Sequence, residues 1–129
     1  MRAFALFALS LSLLVPSLAA ASEPEAPTDT LKKAVLAYEN CDVMAMMELT
    51  APHQRAVLSD QALALAETTC KRDDSRASKL KALKLAEQFK PTFEEDGKYA
   101  VFDFSGMGFS KAEEKLRMIR IDEKWYLLH

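Results

Sequence analysis

Leu83 to Phe104 reads Leu-Lys-Leu-Ala-Glu-Gln-Phe-Lys-Pro-Thr-Phe-Glu-Glu-Asp-Gly-Lys-Tyr-Ala-Val-Phe-Asp-Phe. Here the apolar repeat changes from the helical period to the two-residue period of a half-buried strand. Leu83, Leu85, Phe89 and Phe93 fall on one face, and Lys84, Gln88, Lys90 and Glu94 on the other. The alternation predicts a long strand, at least from Phe89 onward, with Pro91 confining it to an edge or a bulge. Ala82, Leu85, Ala86 and Phe89 also fit a helix, so residues 79–88 keep both readings. Glu95-Asp96-Gly97 has the chemistry of a hairpin turn, and Tyr99–Ser105 alternates again as a second strand.

Downstream, Gly106-Met107-Gly108 is a flexible connection, residues 114–121 read as a third strand, Asp122-Glu123 as a turn, and 124–128 as a closing strand. Upstream the period is helical. Thr28 or Asp29 can cap a helix carrying Leu31, Ala34, Val35 and Tyr38 at i, i+3, i+4 and i+7. Asn40-Cys41-Asp42 breaks it, with Asn suited to a C-terminal cap and Asp42 to the next N-cap. Short helices follow over 43–49 and from Pro52, and Ser59-Asp60 opens another with Ala62, Leu65, Ala66, Thr69 and Cys70 along one face. Helices first and an antiparallel meander second make an α+β domain: N-terminal helices on a curved four-stranded antiparallel sheet.

The opening Leu-Lys-Lys-Ala-Val-Leu-Ala-Tyr (31–38), the break at 40–42 and Val-Met-Ala-Met-Met-Glu-Leu-Thr-Ala-Pro (43–52) resemble small exported domains of the nuclear transport factor 2-like superfamily. So do Glu-Glu-Asp-Gly-Lys-Tyr-Ala-Val-Phe-Asp-Phe (94–104) and Arg-Met-Ile-Arg-Ile-Asp-Glu-Lys-Trp-Tyr-Leu (117–127). The resemblance implies a cone of sheet wrapped on helices with a pocket between them, and a fold more than an activity. Isomerases and dehydratases of that superfamily place an Asp base, a Tyr or a His in the cone. Tyr38, Asp42, His53, Tyr99 and Asp103 match no such motif, so no catalytic residue carries over.

At the N-terminus, Arg2, an apolar run from Ala3 to Val15, Pro16-Ser17 and Ala19-Ala20-Ala21 form the three parts of a secretory signal. The run is short of the ~20 residues a spanning helix needs, so no stable membrane anchor is expected. Residues 1–21 therefore read as signal peptide, 22–28 as a disordered, proline-rich lead-in, and 29–129 as one α+β domain, exported to a periplasm or secreted. Loss of Arg2 leaves a net charge of about −3, too small to draw nucleic acid or a membrane surface.

In an oxidising compartment an even cysteine count suggests one bridge. Cys41 and Cys70 each end an apolar helical stripe, compatible with a buried staple between helices; two free thiols are the other reading. They lack Cys-x-x-Cys spacing, so redox catalysis is not expected. His53 and His129 are isolated and make a poor zinc site. Met44, Met46 and Met47 fit adaptable core filler better than a Cu(I) cluster, and no cofactor is implied. Lys71, Arg72, Arg76, Lys79, Lys81 and Lys84 read as a solvated loop and strand face, or else as an anionic docking patch.

Phe89, Phe102, Phe104 and Trp125 from the strands, beneath Val35 and Tyr38, either fill a core or line a partly open apolar cavity. Three functions follow as expectations. The first is a non-enzymatic exported protein that binds a small apolar ligand or an envelope protein. The second is a small isomerase- or hydrolase-like enzyme using an inward carboxylate, Asp42 or Asp103. The third is an inhibitor or assembly factor acting through its surface at the 106–110 loop.

Overall fold

A computed structural model describes residues 25–129, so the expected signal peptide and residues 22–24 of the lead-in lie outside the described residues. Among the described residues, four α-helices precede a four-stranded antiparallel sheet, an α+β fold. The helices are α1 (Pro27–Glu39), α2 (Val43–Leu49), α3 (Asp60–Cys70) and α4 (Asp74–Ala86), with a 3-10 turn at Pro52–Gln54. The strands β1 (Thr92–Glu94), β2 (Tyr99–Asp103), β3 (Lys115–Ile121) and β4 (Lys124–Leu128) pair in chain order as a meander.

Local chemistry explains most of the boundaries. Pro27 occupies the first turn of α1, where its missing N–H is no loss. The cap residue is Ala26 rather than Thr28 or Asp29, and Asp29 reaches back to accept the Ala26 N–H at 3.1 Å. The end of the expected lead-in is thus structured, and Glu25 also accepts the Trp125 N–H at 3.1 Å. At the other end of α1, Asn40 is the C-cap and Cys41 takes the left-handed position, φ +49°. The N–H groups of Cys41 and Asp42 return to the carbonyls of Tyr38 and Ala37, a Schellman closure usually made with glycine. Asp42 and Ser59 cap α2 and α3 as their sequences predict, accepting from Ala45 and Ala62.

Residues 79–88, which fit helix or strand in the sequence, are helical to Ala86, and the strand expected from Phe89 begins only at Thr92. Asp73 caps α4, accepting from the Ser75 N–H at 2.9 Å, and the helix runs through Leu83 and Leu85 to Ala86. Phe89 lies in the turn beyond it, its N–H bonded to the Ala86 carbonyl. Two leucines two residues apart fit the strand period alone; the buried trio Ala82, Leu83 and Ala86 is helical, and small residues there let α4 approach its neighbours closely. The helix has ended by Glu87, ahead of Pro91, and β1 after the proline is only three residues long, on an edge of the sheet.

One face of the sheet carries Ala100, Phe102, Leu116, Met118, Trp125 and Leu127, all buried. The register aligns them, Ala100 with Met118, Phe102 with Leu116, and Met118 with Leu127. Leu31 and Ala34 of α1, with Ala82, Leu83 and Ala86 of α4, close over this face. Thr30 anchors α1 by donating its hydroxyl to the Trp125 carbonyl at 3.0 Å. Outside β4, Thr50 makes a parallel bridge to Leu127, and the Ala51 N–H bonds to the Leu127 carbonyl.

Candidate functional site

The six residues expected to line a pocket divide between core and cleft. Phe102, Phe104 and Trp125 are buried, while Val35 and Phe89 pack half-buried against the same core. Phe89 meets Phe104 edge to face at 5.7 Å between centroids, and Phe93 meets Trp125 at 6.0 Å. Neither of the two clefts at the end of the sheet is lined by Val35, Phe89, Phe102, Phe104 or Trp125. Tyr38 alone of the set lines the larger one.

The larger cleft, of about 550 Å³, lies where α1, α2, α3 and α4 meet His129, the residue after β4. Its apolar wall comes from Tyr38, Val43, Met46, Ala66 and Cys70. Cys70 is bridged to Cys41 with 5.8 Å between Cα atoms, and no free cysteine is present among the described residues. The bridge is the staple the sequence suggested, joining Cys70 at the end of α3 to Cys41 in the left-handed turn that closes α1. A second cleft of about 460 Å³ adjoins the first, sharing Lys79 and His129 with it.

Polar groups converge at this junction. Gln54 clasps the backbone of His129, accepting its N–H at 2.8 Å and donating to its carbonyl at 3.0 Å. The Thr50 hydroxyl donates to the Met46 carbonyl at 2.9 Å, so in its 3.1 Å contact with His129 the oxygen accepts and Nε2–H donates. Nδ1 is then the titrating nitrogen. Burial lowers the His129 pKa, and the nearby Lys79 charge lowers it further. Lys79 is itself lowered by burial, with partial relief from Glu113. Burial raises the Tyr38 phenol. Arg76 holds the C-terminal end of α1, its Nη1 donating to the carbonyls of Tyr38 and Glu39 at 3.0 and 3.3 Å, where the helix dipole favours a cation.

The basic run is therefore neither a strand face nor a uniform patch. Arg76 and Lys79 turn to the cleft from one face of α4, Lys84 pairs with Glu39 at 3.4 Å, and Lys81 sits over the Phe109 ring. The methionines are not core filler as a group: Met44 is exposed and Met46 lines the cleft. The carboxylates considered as inward bases point elsewhere. Asp103 is exposed and held below the ordinary range by Ser105, and Asp42 caps α2. Among the described residues, no group of three His, Cys, Asp or Glu is arranged to hold a metal ion, and no helix is long and apolar enough to cross a membrane.

Glu113 and the assembled cleft were not anticipated as a site, and Arg76 and Lys79 entered the sequence reading only within the basic run, as part of an alternative anionic docking patch. The i, i+3 spacing of Arg76 and Lys79 was the available signal, and it has meaning only once residues 74–86 are read as helix. No family model, curated protein or solved structure matches the chain.

Proposed function

We propose that this chain is an exported, non-catalytic binding protein whose ligand occupies the cleft between Tyr38, Met46, Ala66 and Lys79. The observation that carries this reading is the cleft itself: a concave site of about 550 Å³ with an apolar wall and a few convergent polar groups. That is the usual make-up of a small-molecule site. Cys70, bridged to Cys41, lies in its wall, and a disulfide suits an oxidising compartment. Against an acid–base enzyme of the kind first considered, Asp103 is exposed and easily ionised, the opposite of a poised buried base.

Ligand-observed NMR with a mixture of small amphiphiles tests the reading. Wild-type protein is expected to retain some of them, and Ala66→Trp, which fills the apolar wall, to release them. Equal retention by both proteins, or none by either, overturns it.

Docking of an envelope protein is a second reading, favoured by the exposure of Val57, Leu58 and Leu65. It predicts that Leu65→Lys abolishes co-purification of a partner without changing small-molecule binding. Co-purification unaffected by the substitution rejects it.

A further inference from the structure

Two cations face the cleft, and neither has a carboxylate within salt-bridge distance among the described residues. Arg76 spends Nη1 on two carbonyls, while its Nε is shut off from water and has no acceptor. An unmet donor of this kind is costly unless something supplies the acceptor. Three residues further along the same helix, Lys79 is desolvated without a direct ion pair.

The carboxylates nearby are occupied. Asp73 accepts from the backbone and hydroxyl of Ser75, and Glu113 accepts from the Ser78 hydroxyl. His129 has Nε2 engaged with Thr50, so Nδ1 is available to accept, or to donate once protonated. Opposite these groups stands a wall of carbon and sulfur, from Val43, Met46, Ala66 and Cys70.

We infer that the cleft selects a small amphipathic anion, its apolar body against Val43, Met46, Ala66 and the disulfide, its carboxylate-like head between Lys79 and Arg76. This rests on the binding reading above and names the ligand class for the same cleft. A small rotation of the Arg76 guanidinium presents its Nε–Nη2 edge to a carboxylate in the fork geometry that guanidinium and carboxylate share. Lys79 supplies a point charge, stronger for being partly removed from water. Glu113 works against the head group and so limits affinity, which fits a ligand that must also leave.

The test is calorimetry with decanoate, decanol and decylammonium, which share one apolar body and differ in head charge. Wild-type protein is expected to prefer decanoate to decanol by about tenfold or more, the worth of a charge-assisted hydrogen bond. Lys79→Met removes the charge at nearly constant shape; it is expected to erase most of that preference while raising the melting temperature, because a desolvated cation is gone. Arg76→Lys, which keeps a cation over the α1 carbonyls but loses the fork, is expected to weaken decanoate and spare decanol. Glu113→Gln is expected to tighten decanoate. Equal binding of all three probes, or a preference for decylammonium, sinks the anion inference and leaves the binding reading standing. Failure of all three to bind sinks both.

Discussion

The two halves of the molecule are held together by different means. Between α1, α4 and the sheet, a dozen side chains from Leu31 to Leu127 are buried in one continuous cluster. Asp60–Cys70, by contrast, contains no buried residue, and the segment leading into it leaves Val57 wholly exposed. The first region is held by apolar burial. The second is held by a half-buried face on α2 and by one covalent bond at its end, Cys41–Cys70. The cleft lies across their boundary, with α1, α2 and α4 on one side and Ala66, Thr69 and Cys70 on the other. A ligand there joins a rigid wall to a weakly packed one, and such walls are where local opening concentrates.

The largest expected effect separates the halves directly. Phe102 is 1% exposed in the middle of the cluster, and Phe102→Ala is expected to lower stability by about 3–5 kcal/mol. Leu65 is 67% exposed on α3, and Leu65→Ala is expected to change stability by less than about 0.5 kcal/mol. Denaturant midpoints for the two variants check this, and comparable losses would show that α3 shares the core.

Next in size is the bridge. Closing a separation of 29 residues stabilises by roughly 3–4 kcal/mol in the chain-entropy account. With Cys41 and Cys70 both replaced by Ala, the global midpoint is expected to fall by less than that, because α3 opens alone. Hydrogen exchange should show protection lost over Asp60–Cys70 and kept in β2, β3 and β4. Simultaneous loss in both regions would contradict the division.

The better packed half was also the more legible one, with a single failure. Strand alternation at Ala100, Phe102 and Phe104, and the turns at 95–97 and 122–123, were readable because each is a short-range pattern with its own chemistry. Residues 79–88 stay ambiguous in the sequence, and the strand expected from Phe89 starts too early, because leucines at 83 and 85 fit an alternation while the signal for helix lies ten residues upstream in Asp73 and Ser75. The α3 helix was readable from Ser59 and its spacing, but its weak packing was not, since an apolar stripe does not say what will cover it. The cleft was the least legible feature. Tyr38, Ala66, Lys79, Glu113 and His129 come from separate parts of the chain, so a local window such as Arg76–Lys79 shows a helix face but not the walls that stand opposite it.

His129 offers a smaller effect, visible in pH. Its folded pKa lies below the ordinary value of about 6.5, so between the two values the unfolded chain binds more protons. The stability linked to His129 is therefore fully present above the unfolded value and is lost as pH falls through the folded one. His129→Asn is expected to flatten the stability–pH curve in that acidic window and leave it unchanged above. Ligand binding carries the opposite sign. An anion beside Lys79 and His129 raises both pKa values against the opposition of Glu113 and Asp73, so decanoate affinity should increase as pH falls toward the imidazole range. Titrations in buffers of different ionisation enthalpy should register proton uptake, and proton release would place the head group elsewhere.

The smallest effect tests the division from the core side. Ile121 pairs with Lys124, so Asp122 and Glu123 form a two-residue loop, with φ of +51° and +66°. Both values lie in the left-handed region that a type I′ turn demands, which Asn-Gly occupies with less strain than Asp-Glu. The hairpin at Glu95-Asp96-Gly97 already ends in glycine, at φ +86°. Asp122→Asn with Glu123→Gly is expected to raise stability by about 0.5–1 kcal/mol, the relief of strain being partly offset by a more flexible unfolded chain. The gain should appear as slower exchange in β3 and β4. Exchange over Asp60–Cys70 should not change, because opening of α3 does not pass through the hairpin; slowing there by the same factor would mean that the stapled helix opens only when the sheet does.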